Sequence, residues 1–122
     1  MADNVISLGK GRTRVTLQAW YMGNDIVVTI FNQNAHIGAV AIGEYSSHED
    51  RTSVSVITRL GHKDDVIAQE AAYIITKHSK RASCVIAGIH LDNIVESEIK
   101  DIKQNCSNLV SQFIQRIAEI SG

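Results

Sequence analysis

Arg12 to Met22 and Thr52 to Leu60 alternate apolar with polar residues, whereas Asp64 to His78 and the last stretch of the chain repeat their apolar residues at every third or fourth position. A period of two fits a half-buried strand and a period near 3.6 fits a helix, and neither pattern settles as the other. The switch therefore predicts a sheet laid down early in the chain with helices following it. Arg12 to Met22 alternates, with Val15, Leu17, Ala19 and Tyr21 on one side and Arg14, Thr16, Gln18 and Trp20 on the other. Asp25 to Phe31 is β-branched and reads as a second strand. His36 to Tyr45 is a third, small and apolar, with Gly38 and Gly43 inside it, and Thr52 to Leu60 is a fourth. With no proline anywhere, the turns fall to Gly23-Asn24-Asp25, Asn32-Gln33-Asn34 and Ser46 to Arg51. Short links between these four runs predict an antiparallel meander.

Asp64 to His78 carries Ile67, Ala71, Ile74 and Ile75, widened by Ala68 and Ala72, which is the stripe of an amphipathic helix. Asp64 reads as its cap, and acidic residues in its first turn suit the positive end of the helix dipole. Ser83 to Ile89 is a fifth strand, and its unbroken apolar run Cys84-Val85-Ile86-Ala87 predicts an interior position. Asn93 followed by Glu96 resembles a capping box ahead of a final helix from about Ile94 to Ile120. The expected fold class is α+β, in the order ββββαβα: an antiparallel sheet of a four-strand meander plus a fifth strand, with two helices. At 122 residues, with 44% hydrophobic and 20% charged positions, the chain is expected to form one domain, 1–122.

The last helix carries a stripe of Ile99, Ile102, Cys106, Leu109, Phe113, Ile117 and Ile120, broadened by Val110 and Ile114. At 1.5 Å per residue it is about 40 Å long, against a radius of gyration of about 13–14 Å for a domain of this size. The stripe is therefore expected to overhang its own sheet and to find a partner, which predicts a homodimer. The alternative is that the whole stripe packs at home.

A formal net charge of -1 argues against general binding to nucleic acid or membrane surfaces. The basic run Lys77, His78, Lys80 and Arg81 reads as a solvated connection. No targeting segment and no spanning helix is legible, so the expected location is the cytoplasm. Cys84 and Cys106 stand in no metal-type spacing and read as small buried hydrophobes. Trp20, sharing a face with Arg14, Thr16 and Gln18, is a contact candidate or else packs under a helix.

Three segments hold the chemistry: His36-Ile37-Gly38, Gly61-His62-Lys63-Asp64-Asp65 and Gly88-Ile89-His90. Each lies at the end of an expected strand, with a glycine that lets backbone or ligand approach closely. Backbone N–H groups at the helix start, with His62 and Lys63, suit a phosphate, whereas Asp64 and Asp65 oppose one. A strand–helix turn with an acidic first turn accounts for the same residues. His36, His62 and His90 allow a metal or acid–base site only if the strand ends converge, and no serine stands in a nucleophile elbow. No catalytic residue is assigned, no metal is expected, and the balance leans away from an independent enzyme.

Gly23-Asn24-Asp25, His36-Ile37-Gly38-Ala39-Val40-Ala41, Gly61-His62-Lys63-Asp64-Asp65 and Ala87-Gly88-Ile89-His90-Leu91-Asp92 together resemble the small D subunit associated with gallate decarboxylase. That is a prenylated-flavin chaperone-like family, whose fold is similar to that of proteasome assembly chaperones three and four. The resemblance spans Trp20 to Ile102. It implies an accessory protein of a decarboxylase system, binding or delivering prenylated FMN or FMN, with a decarboxylase or a flavin prenyltransferase as partner. The positions carried over are His36, Gly38, Gly61, His62, Lys63, Asp64, Asp65, Gly88 and His90. On chemistry, His62, Lys63 and the helix-start amides suit the flavin phosphate, and His36 and His90 suit polar edges of the isoalloxazine. Two other readings remain open: an assembly chaperone acting by protein contacts alone, and a small metal protein or enzyme using His36, His62 and His90.

Overall fold

The computed structural model describes residues 3–59 and 64–121. Its strands are β1 (Asn4–Leu8), β2 (Val15–Met22), β3 (Asp25–Phe31), β4 (Ala39–Ser46), β5 (Arg51–Thr58) and β6 (Ser83–Gly88), and its helices are α1 (Asp65–Ser79) and α2 (Glu96–Ser121). The fold is α+β, with two helices and one six-stranded mixed sheet in the order β1-β2-β3-β6-β4-β5.

The expected four-strand meander is corrected in two ways. β1 adds an edge strand paired antiparallel to β2, and β6 lies between β3 and β4, parallel to β3 and antiparallel to β4. β2 and β3 do form a hairpin, closed by the two residues between the Met22–Asp25 pair, with Gly23 at φ 63. The link from Phe31 to Ala39 is too long for a tight hairpin, so β3 and β4 stand apart and leave a slot. β6 fills that slot because it is apolar on both faces, in keeping with the interior position expected for it.

Both helices cover the same face. α1 packs on β4, β5 and β6, and α2 packs on β1, β2 and α1. Val15, Leu17, Ala19, Ile26, Val28, Ile30, Ala39, Ala41, Val85 and Ala87 face them from the sheet, all wholly buried or nearly so. α1 contributes Ala68, Ala71, Ala72 and Ile75, small enough for close approach to the sheet. A Cβ at Gly43 would meet the Ala72 carbonyl at 2.8 Å, so glycine there lets α1 lie down on β4.

The expected overhang of the last helix is also corrected. Ile102, Cys106, Leu109, Val110, Phe113 and Ile117 are all buried within the protomer, and Ile114 packs against the same core. At the near end of the stripe only Ile99 is exposed, at 39%; the side chain of Ile120 lies outside the described residues. The start of α2 moves as well. Asn93 adopts a left-handed φ of 53 and is no cap; the Val95 N–H instead donates to Glu98 Oε1 at 3.1 Å. That backbone bond, followed by Arg12 at 2.8 Å, holds the Glu98 carboxyl below the usual range. Among the described residues, no helix is long and apolar enough to cross a membrane.

Candidate functional site

The described parts of the three histidine segments meet at one end of the sheet, where β3 and β6 finish and β4 begins. The meeting depends on two glycines. A Cβ at Gly88 would run into the backbone carbonyl of His36, and a Cβ at Gly38 would run into the carboxylate of Asp64. Because His36 crosses directly over Gly88, His36 to Gly38 leave the strand in which the sequence pattern had put them. Gly38 is still tied to β6 by its N–H, which donates to the Ala87 carbonyl at 2.9 Å.

Asp64 is the hinge of the arrangement and is 5% exposed. Its side chain does not cap α1, contrary to expectation. Oδ1 instead accepts the Ile89 N–H at 3.1 Å, and Oδ2 lies 3.4 Å from His36 Nε2. The other imidazole nitrogen of His36, Nδ1, stands 3.0 Å from the Asn34 carbonyl, an acceptor only, so Nδ1 carries a proton. The rings of His36 and His90 meet edge to face, with centroids 6.5 Å apart. His90 turns its Nε2 to Asp92 Oδ1 at 2.9 Å, near the surface.

Asn32 is a site residue that sequence reasoning passed over as part of a polar turn. It is buried, and it grips the backbone of His90 from both sides. Its Nδ2 donates to the His90 carbonyl at 2.9 Å, and its Oδ1 accepts the His90 N–H at 3.2 Å. Asn34 Nδ2 donates to the same carbonyl at 2.9 Å. The available signal was an amide residue directly after an apolar strand. Arg59 also reaches this end, donating from Nη1 to the Ile37 carbonyl at 2.9 Å.

Beside Asp64 and His90, on the helix side of the sheet, opens a cavity of about 630 Å3. Ile67, Ile89, Leu91, Ile94, Ile99 and Ile102 give it apolar walls, and Asp64, Asp65, His90 and Lys103 give it polar points. This size and lining are those of a small-molecule site. Lys103, on α2, had no place in the sequence reading. Gly61, His62 and Lys63 lie outside the described residues. Among the described residues, no group of three or more His, Cys, Asp or Glu side chains is arranged to hold a metal ion. Deeper in, burial and the nearby charge of Asp64 push the Cys106 thiol up to about 12, which makes it an inert packing group.

A solved structure, a chaperone complex for yeast 20S proteasome assembly, superposes with a TM-score of 0.55 over 91% of this chain and 97% of that chain. At 17% identity the likeness establishes the shared fold. Comparison with curated proteins gives no match. The model of the prenylated flavin chaperone LpdD-like domain matches residues 9–118, and the chain belongs to that family.

Proposed function

We propose that this protein is an accessory chaperone of a prenylated-flavin-dependent decarboxylase system, and that it binds the FMN-derived cofactor for delivery or protection. The observation that carries this reading is the meeting of His36, Gly38, Asp64, Gly88 and His90 beside an apolar cavity of about 630 Å3. The residues present fit the group. Isoleucine walls suit a flat, largely apolar ring system, and His90 and Asp64 offer polar atoms to its edges. Lys103 supplies a cation for the phosphate, and the resemblance adds His62 and Lys63 of the sequence motif as further candidates for that role. Asp65 at the rim sets a limit on how much negative charge is tolerated there. Gly38 and Gly88 act indirectly, by letting His36 and Asp64 approach. The cofactor, when bound to a client enzyme, supplies the electron sink for decarboxylation; this chain's part is to hold and orient it. The partner in handover is a decarboxylase or a flavin prenyltransferase, and the working unit is a homodimer.

Native mass spectrometry of protein purified anaerobically from cells that make prenylated flavin tests this directly. The expected spectrum carries the flavin mass on the folded protein. His62→Ala with Lys63→Ala, and separately Lys103→Ala, are expected to weaken flavin affinity without loss of fold. A protein that stays empty after addition of both FMN and its prenylated form would sink the cofactor reading. It would favour a second one, an assembly chaperone working through protein contacts alone, which the fold shared with the yeast proteasome assembly complex supports.

A further inference from the structure

β5 closes one side of the sheet, and among the described residues it pairs with β4 alone. A free edge of this kind presents a row of unpaired N–H and C=O groups. Folded proteins ordinarily blunt it with a short strand, a bulge, a proline or a charge. β1, on the opposite edge, is blunted by its length of five residues. β5 carries none of these devices along its middle. It runs eight residues in one-for-one register with β4, the chain has no proline, and no charged residue stands between Arg51 and Arg59. α1 lies beside this strand, and between the two opens a groove of about 420 Å3 lined by Val54, Val66, Gln69, Glu70, Tyr73 and Ile74. Val66 and Tyr73, two helical turns apart on the side of α1 that lines the groove, both stand exposed. Glu70 lies between them, and among the described residues it has no ion-pair partner.

We infer that this groove takes an extended segment of a partner protein as an added strand on β5, and that the side chains the segment turns toward α1 run apolar, basic, apolar. The free edge supplies main-chain hydrogen bonds, and the groove reads alternate side chains. Along α1, Val66 stands about 10–12 Å from Tyr73 and Ile74 at 1.5 Å per residue. The first and fifth residues of a strand are about 13 Å apart. Two apolar side chains so spaced meet Val66 at one end and Tyr73 with Ile74 at the other, and the side chain midway between them falls opposite Glu70. A lysine or arginine there meets the carboxylate, whereas an acidic residue sets like charge against it. Lys77 holds its ammonium 5.6 Å from the centre of the Tyr73 ring, so a second cation is disfavoured at that end. A helix in the groove would leave the edge unpaired, because its own N–H and C=O groups are spent internally. A second copy of β5 does not match either: Thr52, Val54, Val56 and Thr58 on one side and Ser53, Ser55 and Ile57 on the other offer no cation to Glu70. The inference is independent of flavin binding.

Fluorescence anisotropy with the full chain provides the test. The probe is a blocked, fluorescein-labelled peptide with the core Val-Thr-Lys-Thr-Val, whose side-chain order is the same in parallel and antiparallel docking. One comparison peptide carries Glu in place of Lys, and another keeps the side chains but is N-methylated along its core. Saturable binding of the Lys peptide is expected, with at least ten-fold weaker binding of the Glu peptide and loss of binding on N-methylation. Glu70→Lys, at an exposed position, is expected to reverse the preference between the two charged peptides with unchanged circular dichroism. Should that variant lose its fold, Glu70→Gln is expected to bind the two equally. No saturable binding of the Lys peptide, an unchanged preference in a folded Glu70 variant, or full binding of the N-methylated peptide would each overturn the inference. So would a fall in sedimenting mass when the peptide is added, because it would mark the groove as an edge at which two copies pair.

Discussion

The two ends of the sheet handle polar groups in opposite ways. At the far end, the side-chain hydrogen bonds join residues no more than 18 positions apart. Tyr45 donates to Asp50, five positions on, at 2.7 Å, and the Thr76 and Ser83 hydroxyls, seven apart, meet at 2.7 Å. These contacts finish turns and helix ends. At the histidine end, contacts cross the fold. Asn32 binds His90 from 58 positions away, Asn34 binds the same carbonyl from 56, and Asp64 binds Ile89 from 25. A buried carboxylate and a buried amide that hold distant backbones are costly to desolvate, and they persist where a fixed geometry is needed. The contrast teaches that local polar bonds shape this chain, whereas long-range ones build its site.

The contrast breaks most severely at Gly88. Replacing it by Ala drives a Cβ into the His36 backbone, which cannot move without dragging Asn34 and Gly38 with it. A loss of about 3 kcal/mol is expected, at the upper end for overpacking, read as a lower urea midpoint. Asp64→Ala comes next. It orphans the Ile89 N–H, at a cost of about 2 kcal/mol. Because Asp64 is also the side chain that a Cβ at Gly38 would strike, Gly38→Ala is expected to cost less in the Asp64→Ala background than in the wild type. Strict additivity in that double-mutant cycle would dissolve the proposed cross-link. The smallest effect lies at the far end. The hydrogen bond to Asp50, with some burial and the Asp50 charge, raises the Tyr45 phenol above its ordinary value. Its proton is therefore retained to higher pH than that of a free tyrosine, and Asp50→Asn is expected to lower the titration midpoint seen by ultraviolet absorbance, with no measurable change in stability.

The local parts of this structure were readable in the sequence. The alternation in Val15 to Met22 and Asp25 to Phe31, the apolar run Cys84 to Ala87 and the stripe of α1 each stand where their period indicates. What escaped depends on pairing at a distance. β1 is five residues long, too short for alternation to announce it, and is fixed by its pairing with β2. The slot for β6 follows from the length of the Phe31–Ala39 link, which periodicity does not report. Asp64 stands where a cap belongs, and only the approach of Ile89 and His36 draws its side chain elsewhere. Helix length alone suggested an overhang for α2, but the breadth of the sheet and α1 together accommodate the stripe. Of the motif set, the sequence indicated His36, Asp64 and His90, whereas Asn32 and Lys103 become visible only once the chain is folded.

The central claim, that the cavity between α1, β6 and α2 holds the flavin, is tested most directly by blocking that cavity without touching its polar groups. Ile99 lines it and is partly exposed, so Ile99→Trp fills space with little disturbance to the core. Calorimetric titration of anaerobic prenylated FMN into the wild type and the variant gives the answer. The account predicts saturable binding to the wild type and loss of at least ten-fold in affinity for a variant whose circular dichroism is unchanged. Equal affinity for the two proteins would contradict it and move the cofactor elsewhere on the molecule.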